Sequence, residues 1–124
     1  MERTTDFWLQ PAEQDWRPRP TLSGRDHTSF EVWDEERERI WWGDWVAFGR
    51  AEEVADPGDY VVRDEAGESV FVVRSAEGRL NGFYNVCSHR GTKFLDDEDR
   101  GNRRKAFTCP YHAWTYDLDG RLIG

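Results

Sequence analysis

Cys87-Ser88-His89-Arg90-Gly91 and Cys109-Pro110-Tyr111-His112 are the two stretches on which the reading of this sequence turns. Each pairs a thiol with an imidazole, and 19 residues lie between His89 and Cys109. The chain holds 2 Cys and 3 His, so every Cys, and every His except His27, falls in these motifs. Thiolate and imidazole in matched pairs suit a transition metal. The plainer alternative is one Cys87–Cys109 disulfide. A disulfide framework in a chain of this size usually carries more Cys, and it leaves the adjacent His unexplained.

Three metal readings compete. A Cys2His2 zinc site usually runs Cys, Cys, His, His, whereas the order here is Cys, His, Cys, His. An ordinary [2Fe–2S] ferredoxin site needs four thiolates, and this chain has two. A Rieske centre holds one iron by two Cys and the other by two His, which matches both count and order. Two ferric ions, two sulfides and two thiolates carry no net charge, whereas four thiolates leave such a cluster doubly negative. The neutral cluster accepts an electron more readily. The outer N–H groups of its imidazoles can also meet solvent or a partner.

Outward from the motifs the sequence reads as short strands. Trp45–Gly49, Asp59–Arg63, Ser69–Arg74 and Arg79–Asn85 are rich in Val, Phe and Tyr, as strands are. Turn chemistry separates them at Asp56-Pro57-Gly58-Asp59, Asp64-Glu65-Ala66-Gly67 and Ala76-Glu77-Gly78. Phe107–Cys109 and Trp114–Leu118 continue the rhythm, and Asp119-Gly120 turns the chain into Arg121–Ile123 as a hairpin. The charged run 96–105 reads as a solvated loop tip. These features predict a mainly β fold, a small antiparallel sandwich or barrel over residues 45–124.

Residues 1–44 read differently. Phe7, Trp8 and Trp16 are scattered among Pro11, Pro18, Pro20 and Gly24, which makes residues 1–27 an arm. A helix is expected over 29–42, with Thr28 as N-cap, Glu31 completing a capping box and Gly43 ending it. Phe30, Trp33, Ile40 and Trp41 would pack its inner face.

Composition narrows the functions. The 124 residues suffice for one small domain, and 7 Trp with 7 Phe compensate for an apolar content of 37%. Acidic residues outnumber basic ones 25 to 17, so the net charge is -8 and nucleic-acid binding is excluded. No apolar run approaches the roughly 18 residues of a membrane span. The opening Met1-Glu2-Arg3-Thr4-Thr5-Asp6 lacks the form of a signal peptide, so a cytoplasmic location is expected.

Tyr84–Gly91, Cys109–Tyr116 and Asp119–Leu122 together resemble the Rieske domain of ring-hydroxylating, non-haem iron oxygenase large subunits. The likeness reaches back to about residue 30. It implies a [2Fe–2S] cluster on Cys87, His89, Cys109 and His112, with Arg90 and Gly91 shaping the first loop. It places an aromatic, Trp114, over the cluster and Tyr116 close behind, although on a strand both could equally be core. Electrons would come from a reductase or ferredoxin and pass between neighbouring large subunits in a homotrimer. The substrate would be an aromatic acid or a quaternary amine.

The same resemblance calls for a mononuclear Fe(II) held by two His and a carboxylate. With His89 and His112 committed, His27 alone is left, so that iron is expected only in a catalytic domain outside this sequence. The expectation is therefore the N-terminal, electron-delivering part of a large subunit, cut short near Gly124. A stand-alone Rieske ferredoxin is the runner-up, and a zinc-stabilised module stands third. The arm and helix ahead of the first strand count against a minimal carrier.

Overall fold

The computed structural model describes residues 21–124, so the arm's Phe7, Trp8 and Trp16 lie outside the described residues. The chain divides into two units, Met1–Trp33 and Asp34–Gly124. In the first, Gly24–Thr28 forms a one-turn helix, α1, where an irregular arm was expected. Thr28 consequently does not cap the next helix. Its hydroxyl donates back to the Gly24 carbonyl at 2.9 Å. The capping position falls to Ser29, whose carbonyl accepts the Trp33 N–H at 3.1 Å and whose hydroxyl bonds the Glu31 carboxylate.

The expected helix is shorter than the pattern suggests. α2 spans Phe30–Glu36 and then widens into a π-helical turn, Arg37–Trp41. The Trp42 N–H donates to the Arg37 carbonyl, five residues back, at 2.9 Å. Arg37 pairs with Asp34 and lies 4.6 Å from the centroid of the Trp42 ring. No residue of α2 or of the π-helical turn is buried, which corrects the expectation of a packed inner face.

Six strands build the second unit: β1 (Asp59–Glu65), β2 (Glu68–Arg74), β3 (Leu80–Tyr84), β4 (Arg100–Asn102), β5 (Ala106–Thr108) and β6 (Thr115–Asp117). They form an antiparallel sheet in the order β3-β2-β1-β4 and a two-stranded sheet, β5-β6. The mainly β architecture predicted from Val-, Phe- and Tyr-rich segments between turns is therefore present. Trp45–Gly49 is not a strand. Among the described residues no strand pairs with it, and Trp45 is 96% exposed.

The charged run 96–105 is not a loop alone. It contains β4, paired with Asp59–Val61 and anchored where the Tyr60 hydroxyl donates to Asp99 at 2.8 Å. All three β4 residues are exposed, so the run is wet as expected yet hydrogen-bonded into the sheet. Charged side chains on a short edge strand also discourage pairing with other chains.

Tyr60, Val62, Phe71, Val73, Leu95, Phe107 and Leu118 form the core, with Phe83 and Phe94 packed against it. Period-2 alternation sends Tyr60 and Val62 of β1, and Phe71 and Val73 of β2, to the same side. Phe71 meets Phe107 of the small sheet at 4.9 Å between ring centroids, and Tyr60 meets Phe107 edge-on at 5.7 Å. This aromatic contact joins the two sheets and fixes the loops that extend from them. No helix among the described residues is long and apolar enough to cross a membrane.

Candidate metal centre

Both motifs sit in loops that leave strands of this core. The first follows β3. The second is the tip of the β5–β6 hairpin, beyond the last pair Thr108↔Thr115. The two loops close in the same way. Cys87 N–H donates to the Thr92 carbonyl at 2.8 Å, and Gly91 N–H returns to the Cys87 carbonyl at 2.9 Å. Cys109 N–H donates to the Trp114 carbonyl at 2.8 Å, and Ala113 N–H returns to the Cys109 carbonyl at 3.0 Å. The residue four places after each Cys turns left-handed, Gly91 at φ 71° and Ala113 at φ 61°. For Gly91 this backbone angle is what uses the glycine, since no protein atom lies within 4 Å of where a Cβ would stand.

Two residues outside the motifs' ligand positions hold the first loop. Asn85, 2% exposed, accepts the N–H groups of Phe94 and Leu95 at 3.0 and 3.1 Å and donates to the Leu95 carbonyl at 2.8 Å. The Tyr116 hydroxyl lies 2.9 Å from the Ser88 hydroxyl and 3.7 Å from the Cys87 sulfur. Phe94 packs edge-on against the Tyr116 ring at 5.3 Å.

This geometry separates the donor types by depth. Cys87 and Cys109 are 1% and 3% exposed and stand unbridged. Burial pushes the Cys87 thiol up. Hydrogen bonds from the backbone N–H of His89, the Tyr116 hydroxyl, Cys109 and the Arg90 N–H outweigh it, and the thiol settles below its ordinary value. The side chain of Arg90 is itself exposed, so it is the Arg90 backbone that reaches the sulfur.

His89 and His112 are exposed, with ring centroids 4.9 Å apart. His89 stacks on Trp114 at 4.6 Å with 6° between planes, and Tyr111 leans on His112 at 3.8 Å. Trp114 and Tyr116 are thus both in contact with motif residues. His27 lies exposed on α1.

The donor set suits a two-iron cluster better than a lone ion. Among the described residues no three His, Cys, Asp or Glu side chains converge as a single ion would require. Structural zinc takes four such ligands around one centre. A mixed Cys/His cluster asks for two protein ligands per iron, and the chain offers two adjacent buried thiols and two adjacent surface imidazoles.

The sequence reading missed Ser88, Asn85 and Ala113. Ala113 had a signal: counted from its Cys, it occupies the place Gly91 holds in the other loop, and both residues are small. Asn85 and Ser88 had none, because their roles depend on how the loop folds back onto Phe94 and Leu95 and on Tyr116 of another strand.

Comparison with known proteins agrees with the geometry. Residues 44–124 match the family model described as Rieske [2Fe-2S] domain. The chain is 41% identical over 96 residues to the carnitine monooxygenase oxygenase subunit of Acinetobacter baumannii, covering 77% of this chain and 25% of that protein. It is 37% identical over 99 residues to the chlorobenzene dioxygenase subunit alpha of a Cupriavidus species, covering 80% and 22%. Among solved structures it superposes with TM-score 0.75 and 39% identity on a quaternary ammonium Rieske monooxygenase, covering 81% of this chain and 27% of that one. That structure is described in terms of carnitine oxidation by gut microbiota and inter-subunit electron transfer. The chain thus spans about a quarter of the length of these relatives.

Proposed function

This chain belongs to the Rieske [2Fe-2S] domain family, and from that premise we propose that it receives and passes on single electrons as the N-terminal part of an oxygenase large subunit. Its cofactor is the [2Fe–2S] cluster of that family. Cys87 and Cys109 hold one iron and His89 and His112 the other. The observation that carries this assignment is the pair of identically closed loops, which set two unbridged buried thiols beside two adjacent exposed imidazoles.

When bound, the cluster supplies a site that gains and loses one electron. The residues around it do the rest. Burial of both Cys keeps water from the sulfurs, and N–H donors from His89 and Arg90 stabilise negative charge there. The exposed edges of His89 and His112 offer the path across the surface. A reductase or ferredoxin delivers the electron, and a neighbouring large subunit in a trimer accepts it. The mononuclear Fe(II) of such an enzyme would be held by residues outside this sequence, and would supply the O2 chemistry for hydroxylation or demethylation.

A quaternary amine is the substrate class best supported, by the likeness to the carnitine monooxygenase subunit; an aromatic substrate is second, by the likeness to the chlorobenzene dioxygenase. A stand-alone carrier is less well supported, since both relatives are oxygenase subunits. We place the domain boundary at 44/45, with residues 1–44 as arm and helix: the family match begins at residue 44, while the compact units divide earlier, between Trp33 and Asp34. Two unbridged Cys suit a cytoplasmic setting.

Metal and sulfide analysis with visible absorption tests the site. The purified chain is expected to be coloured, with iron and acid-labile sulfide in equal amounts. Cys109→Ser and His112→Ala should lose both, and His27→Ala should keep them. A colourless protein holding one zinc and no sulfide sinks the assignment.

A further inference from the structure

We infer that Ser88 is a positioning residue: its hydroxyl donates to Tyr116, and this directs the Tyr116 hydrogen onto the Cys87 sulfur, making the cluster easier to reduce. The inference rests on the cluster assignment above and concerns a residue with no ligand role.

Hydrogen counting carries it. The Tyr116 hydroxyl has one hydrogen and two polar neighbours, the Ser88 oxygen at 2.9 Å and the Cys87 sulfur at 3.7 Å. It can donate to only one of them. A thiolate bound to iron has no hydrogen, so it can only accept. Ser88 can do either, because its hydroxyl rotates. If Tyr116 donated to Ser88, the sulfur would face a phenol lone pair. If Ser88 donates to Tyr116, every group is satisfied, and the negative sulfur gains a charge-assisted bond.

The second arrangement is also cooperative. A hydroxyl that accepts a hydrogen bond becomes a stronger donor. A phenol is also the stronger hydrogen-bond donor of the two hydroxyls. The ring cannot easily choose another position. Tyr116 pairs with Phe107 across the small sheet, bridges to Leu122, and is held edge-on by Phe94. The 3.7 Å separation is long for a hydrogen bond, so the sulfur's share of the hydrogen depends on Ser88 donating rather than accepting. Hydrogen bonds to cluster sulfurs raise the reduction potential, because they offset the charge that an added electron brings. One electron enters on reduction, and no bond or proton is exchanged along the Ser88–Tyr116–Cys87 chain.

The test is a midpoint-potential titration of the cluster-loaded chain by visible absorption, with iron and sulfide assayed in every variant. Ser88→Ala should make reduction roughly threefold less favourable, a fall of about 30 mV at 59 mV per tenfold. Ser88→Thr, which keeps the hydroxyl, should restore the parent value. Ser88→Val, the same shape without it, should match Ser88→Ala. On a Tyr116→Phe background, Ser88→Ala should add no further shift, since there is no phenol left to direct. A rise in potential in Ser88→Ala would mean that Ser88 competes with the sulfur, and would overturn the inference. So would an unchanged potential, or an equal fall with and without Tyr116. Those results leave the ligand assignment standing, whereas a parent chain without iron and sulfide overturns that assignment and this inference together.

Discussion

Asn85 uses both ends of its amide in a site almost closed to solvent. Besides the three bonds to Phe94 and Leu95, its amide nitrogen reaches the Ser69 hydroxyl at 3.2 Å. It therefore ties the end of β3, two residues before Cys87, to the segment that follows the first loop. Replacing it by Ala would orphan the buried N–H and carbonyl of Leu95 and the part-buried N–H of Phe94 at once. Each such loss costs about 1–3 kcal/mol, so Asn85→Ala should destabilise the chain by roughly 3 kcal/mol, after some relief by entering water. Urea unfolding measures it, and a loss under about 1 kcal/mol would mean the loop holds its shape without the amide. Asn85→Asp should be no milder, because a carboxylate cannot donate to the Leu95 carbonyl.

The loops and turns differ in what their left-handed residues require. Gly91 sits at φ 71° in open space, so Gly91→Ala should cost only the backbone strain, about 1 kcal/mol. Gly120 sits at φ 82°, and a Cβ there would stand 2.7 Å from Cε1 of Phe83. Gly120→Ala should add overpacking to strain and cost about 3 kcal/mol. Thermal unfolding of the two variants checks the order, and equal losses would show that the Phe83 ring yields freely. Contacts of this kind also mark where sequence reading stopped. The paired Cys/His motifs were legible because four residues of two rare types coincide, and the central strands because Val, Phe and Tyr cluster between turn residues over Asp59–Arg74. β4 was illegible because Arg100–Asn102 carries no apolar residue, and its strand character comes from pairing with Asp59–Val61. Trp45–Gly49 has strand-like residues and no ladder partner, and a strand needs both. Helix 29–42 satisfied its periodicity, yet a capping position shifted to Ser29 and a switch to π geometry at Arg37 leave no mark on an apolar pattern.

At the scale of the whole molecule, acid stability depends on a few carboxylates. Asp59 is held below the usual aspartate range by the Asn102 side chain and the Asp56 N–H, Asp97 by Lys93 and Ser69, and Asp119 by Asn81 and Arg79. Each is more acidic folded than unfolded. Its contribution is complete above the unfolded value, near pH 4, and is lost as pH falls through the folded one. The Tm should therefore drop as pH is lowered from about 5 to about 3, against the opposing relief of repulsion in a chain of net charge -8. Asp59→Asn should show a shallower drop, and a slope as steep as the parent's would remove Asp59 from the account. The indole under His89 bears on a different quantity, speed. A charge hops quickly between partners when few nuclei have to shift as it arrives, and slowly when rings must first swing into place. With its imidazole lying flat on Trp114, 6° from parallel, and edge-on to His112, His89 is denied that swing. If electrons cross at these imidazoles as proposed, the surface they use is stiffened in advance.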